Sequence, residues 1–168
     1  MFISSEKNEA SARCSQIDFG EKGMSLLQGK QYTQAYIFLT QALLEAPEDA
    51  SVFFNLGLCC LFAGNAEKAL QYLETGIEKL NVGPLPQELR ADVPMMQQLE
   101  RQEAETDAYK APMYSFETSY FFKRTKDRFL RLMVDGYVLT NNYLRVKQIA
   151  DMLQNKSYKN VQAALEKI

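Results

Sequence analysis

A set of small and large apolar residues recurs after 34 positions in this chain: Phe19, Gly23, Leu26, Ala35, Leu39 and Ala42 return as Phe53, Gly57, Cys60, Ala69, Leu73 and Gly76. Pro47 closes the first unit, and Pro84 follows the second at a longer distance. A fixed period of this length describes stacked units, each burying its apolar face against its neighbours. Such arrays offer a grooved surface to another molecule rather than performing chemistry.

Within each unit the apolar residues fall three and four apart, which is helical spacing. Residues 17–28 and 32–46 read as a helix pair around the turn Gly29-Lys30-Gln31. Residues 51–63 and 66–80 read as a second pair around Gly64-Asn65, with Ser51 as N-cap. Glycine inside a helix costs ~1 kcal/mol relative to alanine. Gly23 and Gly57 are reasonable where a facing helix approaches closely, with Ala35 and Ala69 small for the same reason. The larger Phe19, Phe53, Leu39 and Leu73 fill the space between.

This pattern resembles the tetratricopeptide repeat. The first unit carries the resemblance at Gly23, Ala35, Ala42 and Pro47, the second at Leu56, Gly57 and Ala69. Phenylalanine stands in place of the family's tryptophan, Lys22 in place of the leucine before the glycine, and Gly76 in place of an alanine. The resemblance covers residues 16–81. It extends more loosely to 126–154, where Tyr137 takes the place of Leu26 and Cys60, and Val146 and Ala150 take the second-helix contact positions.

The expected fold is all-α: antiparallel helix pairs forming an α-solenoid fragment, with an irregular helical insertion and a C-terminal cap helix. Residues 1–15 form an N-terminal segment, frayed or beginning a helix, and 16–83 the two repeats. Residues 84–117 form the insertion, with a short helix about 87–91 and a longer one over 95–109. Residues 118–168 form a long helix over 118–139, its partner over 143–153, and the cap over 158–168 with Ser157 as N-cap.

Composition narrows the chemistry. The chain has no histidine, which removes imidazole acid–base catalysis and every His-ligated metal site. No GxxxxGK[ST] or GxGxxG phosphate cradle is present. Three cysteines without framework spacing suggest buried thiols. No signal peptide or membrane span is visible, so a cytoplasmic, non-enzymatic protein without cofactor or metal is expected. Residues 1–111 hold 9 basic and 16 acidic side chains, and 112–168 hold 10 and 5. That asymmetry suits an anionic partner, self-association between the acidic and basic halves, or simply a solvated surface.

By the resemblance, the groove-facing positions are Met24, Leu27, Gln28, Phe54, Asn55, Leu58, Leu61 and Phe62, with Arg128, Arg131 and Asp135 extending the set. Family members that grip a carboxylate use lysine, asparagine and arginine here. Gly20, Met24 and Leu132 replace three of those, and only Asn55 fits. The resemblance therefore implies a protein partner presenting an apolar helix or peptide. Residues 93–122 are an alternative, internal occupant of the groove. Two further readings are a secretion-type chaperone, since some of these are small acidic tetratricopeptide proteins, and a nucleic-acid-binding regulator. The latter would use the aromatic, basic stretch 120–131, with Lys123, Lys126 and Arg131 as its patch. At helical spacing Phe122, Phe129 and Met133 make a core stripe instead, and the acid surplus elsewhere disfavours nucleic acid.

Overall fold

A computed structural model describes residues 17–81 and 93–168. Among the described residues it contains nine α-helices and no strand. The expected start of the chain, with Cys14, and the short helix about 87–91 lie outside them.

Helix α1, Phe19–Gln28, begins at Asp18, whose carboxylate accepts from the Glu21 amide at 2.8 Å. It pairs with α2, Tyr32–Glu45. Helix α3, Ala50–Phe62, pairs with α4, Ala66–Asn81. The N-cap of α3 is Asp49 rather than Ser51, its carboxylate accepting from the Ser51 amide at 2.9 Å and hydroxyl at 2.7 Å. A carboxylate there also meets the positive end of the helix dipole.

The insertion comprises α5, Val93–Ala104, a 3₁₀ turn at Ala108–Lys110, an extended stretch, and α6, Ser115–Tyr120. The single helix expected over 118–139 is divided. Phe121 leaves helical geometry (φ −128°, ψ 43°), and α7 runs from Phe122 to Leu139. The Thr125 hydroxyl fastens this corner by donating to the Glu117 carbonyl at 2.9 Å. Helix α8 is Tyr143–Met152 and α9 is Lys159–Leu165. Tyr158, not Ser157, caps α9, because the Ser157 amide and hydroxyl both donate to Asn155 Oδ1, at 2.9 and 2.6 Å.

Three turns share one hydrogen-bond scheme. Gln31 N donates to Leu26 O, Asn65 N to Cys60 O and Asn142 N to Tyr137 O, each at 2.9 Å. Each turn reverses through one left-handed residue: Lys30 (φ 59°), Gly64 (φ 82°) and Asn141 (φ 56°). Helix α7 packs on α4 as α3 packs on α2, and α8 packs back on α7.

The contact between paired helices follows the same register. A Cβ on Gly23 would lie 2.7 Å from Leu39 Cγ, and one on Gly57 would lie 2.7 Å from Leu73 Cγ. The matching positions of the third pair are Val134 and Ala150, both buried. The larger side chain has moved from the second helix to the first, so a small residue still faces a large one.

Candidate functional site

Helix α3 is the centre of the molecule. Every residue from Ala50 to Cys60 is buried, because α4, α2, α7 and α6 all pack on it. Phe54 is 0% exposed, edge-on to Phe129 with ring centroids 5.0 Å apart, and the Arg128 guanidinium lies 4.9 Å from its ring. Leu27 and Leu58 are likewise core residues. Leu27, Phe54 and Leu58 are therefore not open partner contacts, which corrects the groove read from sequence.

Asn55 explains what covers this face. It is 2% exposed, and its side chain donates to the Met113 carbonyl at 2.8 Å and accepts from the Met113 amide at 2.7 Å. The one residue matching a peptide-gripping position thus holds the chain's own backbone. Arg128 completes the hold. It donates to the carbonyls of Tyr109 (3.4 Å) and Ala111 and to the Glu117 carboxylate (2.8 Å). Burial lowers the Arg128 pKa from its ordinary value, and Glu117 acts in the opposite direction. Each of these bonds satisfies a polar group that the interior would otherwise strand.

Asn55→Ala removes both bonds and leaves the Met113 amide and carbonyl unpaired. A loss of about 2–4 kcal/mol is expected in urea titrations. Amide exchange across residues 109–116 should accelerate before exchange in α3 or α4 does.

Arg131 is also buried. Its guanidinium lies 3.9 Å from the Tyr109 ring and 4.4 Å from the Tyr158 ring. The basic patch expected from Lys123, Lys126 and Arg131 is corrected accordingly: Lys123 is exposed, Lys126 half-buried and Arg131 enclosed. On α5, Glu103 is paired, since Arg124 grips it through two bonds of 3.0 and 2.8 Å. Tyr158 donates to Asp127 at 2.6 Å. Burial raises the Asp127 pKa, with that hydrogen bond opposing.

The remaining groove positions lie in two separate places. Met24 is half-buried and lines a cleft of about 480 Å³ bounded by α1, the end of α2, the start of α3 and residues 113–116. Gln28 is exposed and lies outside that lining. Leu61 and Phe62 line a groove of about 380 Å³ with α7 and α9, and Phe62 also packs on Tyr32. Neither buried cysteine is poised as a nucleophile. Burial pushes the Cys59 thiol up to about 11 and also raises that of Cys60. Among the described residues no cluster of three or more carboxylates or thiols could hold a metal ion. None of the described helices is long and apolar enough to cross a membrane.

Residues 26–93 match the tetratricopeptide repeat. The match takes in α1 from Leu26, the next three helices and the first residue of α5. No curated protein sequence matches the chain. A tetratricopeptide-like segment of this kind suggests a protein–protein interaction module, and the family is generally non-catalytic.

Sequence reasoning placed Arg128, Arg131 and Asp135 on the groove and offered residues 93–122 as its internal occupant, but did not assign these side chains to holding it. The signal lay in their i, i+3, i+7 spacing on a helix that also carries Phe129 and Leu132. Charged residues so close to an apolar stripe need partners. The two arginines donate chiefly to carbonyls of the insertion, which have no sequence signature, while Asp135 accepts from the Tyr109 hydroxyl and the Asn160 amide.

Proposed function

We propose that this chain is a non-catalytic interaction module whose groove is divided between an internal occupant and an external one. Residues 109–117 take the part above α3, and a partner protein takes the part beside α1. The observation carrying this reading is the reciprocal pair of bonds between Asn55 and the Met113 backbone. It occupies the family's peptide-gripping position and leaves open the cleft at Met24, apart from the separate groove at Leu61 and Phe62.

A photo-crosslinking residue at Met24, with one at the exposed Gln71 of α4 as control, tests the reading in extracts of producing cells. Discrete protein adducts are expected from position 24 and not from 71. No adduct at 24, or the same adducts at both, would overturn it.

A further inference from the structure

The cleft beside α1 has an unbalanced lining. Its floor is apolar, from Met24, Leu39, Val52 and the buried Met113. Its rim carries the carboxylates of Asp18, Glu21, Glu45 and Asp49, and among the described residues no lysine or arginine lines it. One wall is aromatic. Tyr114 and Phe116 stack with ring centroids 5.7 Å apart and planes 19° apart, yet stay 45% and 53% exposed. That wall belongs to the stretch that Asn55 anchors at Met113, so it is held in place.

Apolar walls focus the field of four carboxylates into the cleft, which favours a cation there. Exposed aromatic faces attract the same charge and also offer apolar area. An anionic peptide end would meet repulsion from the four carboxylates of the rim. We infer that this cleft receives a basic, amphipathic segment of a partner protein, with apolar side chains on the Met24–Met113 floor and lysine or arginine on the rim. The inference rests on the reading above and adds the partner's chemistry to it.

Two other occupants are less complementary. Residues 1–15 precede the cleft residue Asp18 in sequence but carry two basic and two acidic side chains, which balance. A second copy would bring its basic half, residues 112–168, but Arg124, Arg128, Arg131 and Arg145 there are already in ion pairs or bonded to the chain's own groups.

Short synthetic peptides of one amphipathic pattern, carrying lysine, glutamine or glutamate at their polar positions, are titrated against the full chain by fluorescence anisotropy. The lysine peptide is expected to bind at least roughly tenfold tighter than the glutamate peptide, with the gap narrowing as salt rises. Glu21→Lys with Glu45→Lys should weaken the lysine peptide roughly tenfold and strengthen the glutamate one. Neither position is buried, so the fold should be unaffected, and circular dichroism checks this. Binding that ignores peptide charge, or survives the double substitution, overturns the inference.

So does tight lysine-peptide binding that appears only after residues 2–15 are removed, which would make that segment the occupant. A dimer in light scattering that excludes the peptide would assign the cleft to a second copy, with the same consequence. Failure here is separable from failure of the broader reading. Adducts at Met24 that do not depend on charge spare the interaction module and reject only its basic partner.

Discussion

Phe129→Ala is expected to destabilise the protein by about 3–5 kcal/mol, the range for deleting a buried aromatic side chain. Phe129 is 0% exposed and stands where α7 meets both helices of the second pair. Its ring packs edge-on to Phe54 of α3, an arrangement that adds ~0.5–1.5 kcal/mol beyond burial. Its other edge fills the space over Gly76 of α4, where a Cβ would lie 2.7 Å from Phe129 Cε1. The void cannot close easily, because the approach of α7 to α4 is also set by Gly136, where a Cβ would come 2.8 Å from Leu70 Cδ2. Urea titration followed by circular dichroism measures the loss. In a stacked array, stability is a sum of unit and interface terms. A lower m-value would therefore report that the third pair has uncoupled from the first two. A loss below about 1 kcal/mol would mean that Phe129 is not the joint between them.

Arg131→Met is expected to cost about 3 kcal/mol, although methionine keeps the apolar stem. Arg131 is 3% exposed. Its guanidinium donates to the carbonyls of Glu103 (3.2 Å) and Thr106 (3.1 Å) and to Asn160 Oδ1 (3.0 Å). Glu103 and Thr106 flank the end of α5 at Ala104, so an arginine of α7 neutralises the negative end of another helix. Burial lowers the Arg131 pKa, opposed by the hydroxyls of Tyr109 and Tyr158 and the Asp135 carboxylate. Arg131→Lys should recover only part of the loss, since an ammonium cannot lie flat between two rings while reaching three acceptors. Faster amide exchange in α5 is the local readout. Retention on heparin should be the same for the folded variant as for the wild type. Lost retention with unchanged stability would return Arg131 to an exposed basic patch.

Both helix pairs of residues 17–81 were legible because their determinants are local or repeat. Gly23 with Leu39 and Gly57 with Leu73 announce a close helix approach in two copies, and Pro47 announces an end. The third pair was harder to read, since its Val134 and Ala150 invert the sizes while keeping their sum. Caps were misplaced where two oxygens compete, as Asp49 and Ser51 do, and the break at Phe121 carries no glycine or proline to mark it.

The candidate site was the least legible part. Sequence register could say that Met24, Phe54, Asn55 and Leu58 share one face of stacked helices. It could not distinguish a face open to a partner from one covered by the chain, because the side chains suited to either are the same. Only the tertiary structure decides, by returning residues 109–117 across α3 so that the Met113 backbone bonds both polar atoms of the Asn55 side chain. The 34-residue period thus determined the helices of residues 17–81 and how they pair, through local apolar spacing. Which part of their groove stays open depends on backbone hydrogen bonds between residues far apart in the chain, and no spacing records those.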